Sequence, residues 1–212
     1  MKKTRLIILA VVIVVILRVA SKYNNIVTLN ESVTTARSQV ENVYQRRLDL
    51  VPNLVNTVKW FASQEQTVLL GVTNARASAT KMNVNINDAQ QLATFQKTQG
   101  ELTTALWKLL AVVENYPDLK SNQNFLELQS QLEWTENRIA VERKNFNDVV
   151  NTYNIYLRRF PSNIVAWIWG FQKAEQFKAE EGADKAPVVD FDTNTTNTEA
   201  TTETSVVDTT TE

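Results

Sequence analysis

The sequence predicts an all-α protein: an antiparallel up-and-down four-helix bundle preceded by one N-terminal transmembrane helix. Three observations carry this expectation. A basic start is followed by an unbroken apolar run over residues 6–17. From residue 24 to residue 180, apolar side chains recur every three or four positions, the period of a helix face. Only 4 Gly and 4 Pro occur among 212 residues, too few for a turn-rich β chain or a glycine-rich phosphate loop.

Residues 1–22 are expected to form the anchor. Lys2, Lys3 and Arg5 precede the apolar run, and Arg18 and Lys22 follow it. As a helix the run spans about 18 Å, short of the roughly 20 residues that usually cross a bilayer. A basic start and a short run also fit a cleaved signal peptide, with a cut after Ser21 placing Val19 at −3. An uncleaved anchor is favoured because no Pro or Gly interrupts the helix between the run and residue 50. Arg5 and Arg18 can also snorkel to the two interfaces. The basic residues lean towards an N-terminus inside and the bulk of the chain outside.

Residues 23–180 are expected to form the bundle, built on four seams. The first is Ile26, Leu29, Val33, Ala36, Val40, Val43, Arg47 and Leu50. The second is Leu54, Val58, Phe61, Glu65, Val68, Val72, Ala75 and Ala79. Leu92, Phe95, Gln99, Leu102, Leu106, Leu109, Val113 and Tyr116 make the third. The fourth runs Phe125, Leu128, Leu132, Thr135, Ile139, Glu142, Phe146, Val149, Tyr153, Tyr156 and Phe160. Pro52 disfavours the α region at Val51 and predicts the first break. Residues 82–88 are Asn-rich, as turns and caps are. Pro117 and residues 121–124 predict the third break. Short connections between four seams predict the up-and-down arrangement. The seam phase runs through Pro52, however, so one long kinked helix from the membrane to residue 80 is the alternative.

Residues 181–212 are Thr- and acid-rich with no apolar period. Such a segment cannot bury enough surface to offset its ordering entropy, so a disordered tail is expected.

Composition then excludes most chemistry. There is no His and no Cys, which removes Ser-His-Asp triads, Cys nucleophiles, disulfides, thiolate zinc and histidine-ligated metals. Di-iron bundles need Glu-x-x-His motifs. The carboxylate pairs Glu133/Glu136 and Glu175/Glu180 are ordinary on helical surfaces. A net charge of −1 offers no bulk attraction for nucleic acid. No catalytic residue, cofactor or metal is expected, and no nucleic-acid partner.

The polar residues on the seams, Arg47, Glu65, Gln99 and Glu142, carry more information, because buried charges must be paired. With helix one ending near residue 50, Arg47 falls at the membrane-distal cap beside Glu114. Arg76 and Glu142 both fall about 35 Å from that cap. The expected pairs are Arg47–Glu114 and Arg76–Glu142. Helix four, spanning about 60 Å, would then outreach residues 21–50, about 45 Å, and arrive at the bilayer surface. Tyr153, Tyr156, Arg158, Arg159, Phe160, Ile164, Trp167, Trp169 and Phe171 lie there, the residue types that sit at headgroup level. Residues 161–171 are read either as an interfacial foot or as a short fifth helix packed over the bundle base.

Several ordered blocks also resemble a known family. They are Tyr23-Asn24-Asn25-Ile26-Val27-Thr28-Leu29-Asn30-Glu31, Gln39-Val40-Glu41-Asn42-Val43-Tyr44-Gln45-Arg46-Arg47 and Asp49-Leu50-Val51-Pro52-Asn53-Leu54-Val55. Val72-Thr73-Asn74-Ala75-Arg76-Ala77, Leu109-Leu110-Ala111-Val112-Val113-Glu114-Asn115-Tyr116-Pro117, Glu136-Asn137-Arg138-Ile139-Ala140, Tyr153-Asn154 and Phe160-Pro161-Ser162-Asn163 follow. Together they resemble the LemA family over residues 20–180. The resemblance implies one N-terminal transmembrane helix, a helical bundle on the cytoplasmic side and no established molecular activity. That side is opposite to the lean of the basic residues and is left open. The sequence departs from the family at Trp60, Trp107, Trp134 and Trp167, where the family carries Gly. A buried indole in place of Gly would overpack a seam by ~1–3 kcal/mol. The four must therefore face solvent, lipid or a partner, or else be misread codons, which UGA in place of UGG would reveal.

These readings predict a non-enzymatic, membrane-anchored scaffold or adaptor, held by membrane lipid through its N-terminal helix. It would act on an unknown protein partner or by self-association, from a single-pass position in the cell (inner) membrane. The alternative is an envelope module that binds or shapes the membrane surface through its interfacial aromatic segment.

Overall fold

The computed structural model describes residues 2–81 and 88–178 and is all-α: the described residues contain helices and connections but no strand. The elements are α1 (Lys2–Phe61), α2 (Gln66–Thr80), α3 (Ala89–Val113), α4 (Pro117–Lys120), α5 (Gln123–Arg158) and α6 (Ser162–Trp169). Residues 171–178 follow as an extended strap. The tail expected over 181–212 lies outside the described residues.

The helix starts and stops have local causes. The Asp88 side chain accepts from the backbone N–H groups of Gln90 and Gln91, capping α3. These backbone bonds, Gln91 first, hold the Asp88 carboxyl below its ordinary pKa. Asn122 caps α5 by accepting from Phe125 N at 3.1 Å. Pro117 begins α4 at the first helical position, where its missing N–H is no loss. Gly170, with φ 72°, ends α6 in the left-handed region that suits glycine.

One expected break is absent. α1 passes through Pro52 without interruption and stops at Phe61, as the long-helix alternative anticipated, although the chain turns at residues 62–65 instead of running on to 80. Pro52 lacks the N–H that would bond the carbonyl of Leu48. Arg76 of α2 supplies the missing donor, its Nε lying 2.8 Å from that oxygen.

At about 1.5 Å per residue α1 is a rod of about 90 Å. Its first part, Leu6 to Leu17, exposes every apolar side chain, and this helix is long and apolar enough to cross a membrane. Its second part is packed: α1 lies along α5, and α2 lies against α3 and the distal end of α1. Two apolar clusters fill the interior. The proximal one, nearer the apolar run, gathers Ile26, Val33, Val40 and Tyr44 with Phe95, Ile139, Phe146, Val150 and Tyr153. The distal one gathers Val51, Leu54 and Val58 with Leu69, Val72, Leu102, Leu109, Leu119 and Phe125.

The seams mark this interior with local phase errors: Leu48, Val51 and Leu69 are buried where the seam residues Leu50 and Val68 are half-buried. Beyond Phe146 the buried row runs Val150, Tyr153, Leu157, while Val149 and Tyr156 are half-buried and Phe160 is exposed. Trp60, Trp107, Trp134 and Trp167 face outward, 51% to 84% exposed, so the overpacking cost does not arise. Trp134 lies under the Arg46 guanidinium, 4.6 Å from ring centroid to Cζ.

Candidate functional site

Between the two clusters lies a polar layer. Arg47 is 1% exposed, and its Nη1 donates to Glu136 Oε1 at 3.0 Å and to Thr103 Oγ1 at 2.9 Å. Its Nη2 is held closely by Gln99 Oε1, and the guanidinium stands 5.1 Å from the centre of the Tyr44 ring. Arg47 Nε is buried with no hydrogen-bond partner among the described residues. The layer thus ties α1, α3 and α5 together at one level, with a half-buried carboxylate balancing a buried cation.

This corrects both expected pairs. Arg47 is paired with Glu136 rather than Glu114. Because α1 continues to Phe61, Arg47 lies about 21 Å below its end, whereas Glu114 is the C-cap of α3 at the distal end. Arg76 is bound to Leu48 O instead of Glu142. Glu142 is instead bound on its own helix, at 2.7 Å from Arg138 Nη2 and 3.2 Å from Asn145 Nδ2. Glu65 sits in the α1–α2 turn and accepts from the Tyr116 hydroxyl at 3.1 Å. That bond raises the Tyr116 pKa.

The second feature is the end of the bundle beside the apolar run. Tyr23 of α1 contacts Trp169 and Phe171, with ring centroids 5.5 and 5.8 Å apart. The Lys22 ammonium lies 5.5 Å from the centre of the Tyr156 ring. Burial works against Tyr156 ionising, but neighbouring Asn25 and Ser162 and the Lys22 charge outweigh it and hold the phenol below its ordinary pKa. α6 is therefore seated about 9 Å past Leu17 along the α1 axis. Ser162, Val165 and Ala166 of α6 are buried, while Ile164, Trp167 and Ile168 on its other side are exposed, with Phe160 before them.

The nine aromatic-segment candidates thus separate into two groups. Tyr153 is buried; Tyr156 and Phe171 are half-buried. Arg158, Arg159, Phe160, Ile164, Trp167 and Trp169 are exposed. The short-helix reading describes the inner face of this segment, and its outer face is apolar and open.

The strap was not legible as an element. After Gly170 the chain turns back along α5, and two asparagines hold it. Asn154 Nδ2 donates to Ala174 O at 2.8 Å and Asn154 Oδ1 accepts from Ala174 N at 3.0 Å. Asn147 makes the same pair of bonds to Phe177, both 2.9 Å. Seven helical residues rise about 10.5 Å, and three extended residues span about 10 Å. The two spacings match, so each side-chain amide reads the strap as a neighbouring strand would. Gln96 of α3 donates to Lys178 O at 2.9 Å, and the Tyr153 hydroxyl donates to Gln172 O at 3.0 Å. Ala174 and Phe177 point into the proximal cluster, where Phe177 meets Phe146 edge-on at 5.2 Å. The available signal was Asn147 and Asn154 one heptad apart, together with Ala174 and Phe177 three apart.

Among the described residues no group of three or more Asp or Glu is placed to hold a metal ion. What the arrangement offers is mechanical: a long rod, a pinned core and an open apolar surface at one end.

The chain is 29% identical over 187 residues to the magnetosome proteins MamQ 1 and MamQ 2 of Paramagnetospirillum magneticum, covering 79% of this chain and 68% of each relative. It is 27% identical to magnetosome protein MamQ of Magnetospirillum gryphiswaldense, with the same coverage. Protein LemA of Metamycoplasma hominis is 21% identical over 158 residues, 74% of this chain and 69% of that protein. The sequence profile of the LemA family matches residues 36–191, nearly three quarters of the chain, and the protein belongs to the LemA family.

Proposed function

We propose that this protein is a non-enzymatic, membrane-anchored scaffold or adaptor. Its domains would be an anchor (1–22), an up-and-down bundle with α1, α2, α3 and α5 as its four arms (23–180), and a free Thr- and acid-rich tail (181–212). The observation that carries this is the continuity of α1. One uninterrupted helix exposes apolar side chains over its first part and buries Ile26, Val33, Val40, Leu54 and Val58 over its second. Anchor and bundle therefore share one rod, and movement of either is transmitted to the other. The likeness to magnetosome proteins supports a place at a membrane. A protein partner or a second copy would dock on the bundle side, from a single-pass position in the cell (inner) membrane.

Tagging each end separately and asking which tag an external protease reaches in intact cells tests the arrangement. A reachable C-terminal tag on a full-length chain puts the bundle outside, with envelope proteins as partners. A protected one puts it in the cytoplasm, as the family resemblance implies. Recovery of either tagged chain, at full length, from the soluble fraction would overturn the anchor.

The outer face of α6 favours a second reading, in which the protein binds or shapes the membrane surface. Dependence of function on lipid composition separates the two, since an anchored scaffold is indifferent to headgroup charge.

A further inference from the structure

α6 carries a contradiction that only its surroundings resolve. Of its eight residues, Ser162 and Asn163 alone are polar. A helix that is apolar on both sides belongs inside a core or in lipid. One side is covered by the bundle, and the other, Ile164, Trp167 and Ile168, is open. The Tyr23–Trp169 contact at 5.5 Å fixes this open side next to the end of the apolar run of α1. If α1 spans the bilayer, the medium facing α6 is the bilayer surface.

Beside α6 there is a cleft of about 710 Å³ between the last two turns of α5, α6 and the strap. Its lining holds the cations Arg158, Lys173 and Lys178 against the one carboxylate of Glu175; Asn151 and Asn163 offer amide donors, and Trp167 also lines it. Lys173 is 77% exposed and meets Glu175 at 3.2 Å. Arg158, Lys173 and two amides around a cavity of this size match a phosphate group with its polar substituent. The indole beside them matches the glycerol level of a lipid.

We propose that this cleft takes the phosphate headgroup of an anionic membrane phospholipid while the outer face of α6 rests in the bilayer surface. The proposal rests on the reading that α1 spans the membrane and deepens the second reading above by naming the ligand. Arg158 and Lys173 contact the phosphate, and a lipid phosphate displaces Glu175 as the partner of Lys173. The bundle is then held at two points, through α1 and through a bound lipid, so its long axis keeps a fixed angle to the bilayer.

The test uses the full chain in detergent, with native mass spectrometry reading retained lipid. Phosphatidylglycerol is expected to be retained in preference to phosphatidylcholine. The R158Q/K173Q variant should lose about fivefold in retention per charge removed. R37Q, at a half-buried arginine of α1 that does not line the cleft, should not change it. Should the double variant fail to fold by circular dichroism, K173Q alone is read, since that side chain is exposed. Equal retention of the two lipids, or an unchanged preference in R158Q/K173Q, would overturn the proposal. Displacement of the lipid by millimolar glycerol phosphate would do the same, because it would assign the cleft to a soluble phosphate. Quenching of Trp167 by brominated lipids in nanodiscs, scored against W167F, reports the foot separately. Quenching without headgroup preference removes the cleft proposal and leaves the foot; no quenching removes both.

Discussion

Arg76 Nε donates to the carbonyl oxygen of Leu48 at 2.8 Å. That oxygen is the one residue 52 would bond in an unbroken helix, and Pro52 has no N–H to give. One long-range hydrogen bond, 28 positions apart in sequence, thus repairs the ladder of α1 and docks α2 on it. The bond is conditional on the proline. R76Q should cost about 1–2 kcal/mol, and much less when Pro52 is replaced by Ala, whose N–H restores the helical bond. Thermal unfolding followed by circular dichroism for the two singles and the double gives the coupling. Additive losses would show that Arg76 acts elsewhere.

The polar layer makes a second, directional prediction. E136A leaves a buried guanidinium without its counter-charge and should destabilise by about 3–5 kcal/mol. E114A removes an exposed cap residue of α3 and should stay within about 0.5 kcal/mol. Exchanging the charges at 47 and 136 should recover part of the loss in melting temperature, whereas exchange at 47 and 114 should recover none.

The strap should come loose as a unit. N147A or N154A each removes two backbone bonds and should cost about 2 kcal/mol. F177A empties a core position shared with Phe146, at about 3–5 kcal/mol. Hydrogen exchange in residues 171–178 should quicken in all three variants, while α2 stays protected. Equal quickening throughout the bundle would deny the strap any separate identity.

Alkaline pH should act through Tyr153. Burial raises its pKa above the ordinary value, so the fold favours the neutral phenol. Its contribution is fully present below the unfolded pKa of about 10. It is lost as the pH rises from there through the folded pKa, because the unfolded chain ionises first. Melting temperature should therefore decline above pH 10 more steeply in the native protein than in Y153F. Y153F itself should cost about 1 kcal/mol at neutral pH, for the lost bond to Gln172 O. Parallel pH profiles would exclude this group.

The residues show why some of this was legible and some was not. Ile26, Val33, Val40 and Leu54 repeat at helical spacing, and spacing alone identifies a buried face. Pro52 misled because its local effect is real; only Arg76, brought in by tertiary packing, offsets it. From that one error the pairings failed: ending helix one near residue 50 put Arg47 at the cap with Glu114, when it lies about 21 Å short of the end of α1, beside Glu136. The strap escaped because its bonds come from side-chain amides on another element, and an extended segment without partners of its own has no period to detect. α6 was visible as an aromatic run, but which face was free depended on the turn at residues 159–161.

The central claim is that the apolar part of α1 stays attached and holds the bundle at a membrane. The most direct measurement is the intact mass of the protein extracted from carbonate-washed membranes. The full 24.1 kDa chain, resistant to extraction by alkaline carbonate, is the predicted result. A chain lacking residues 1–21 and released into the wash would contradict it.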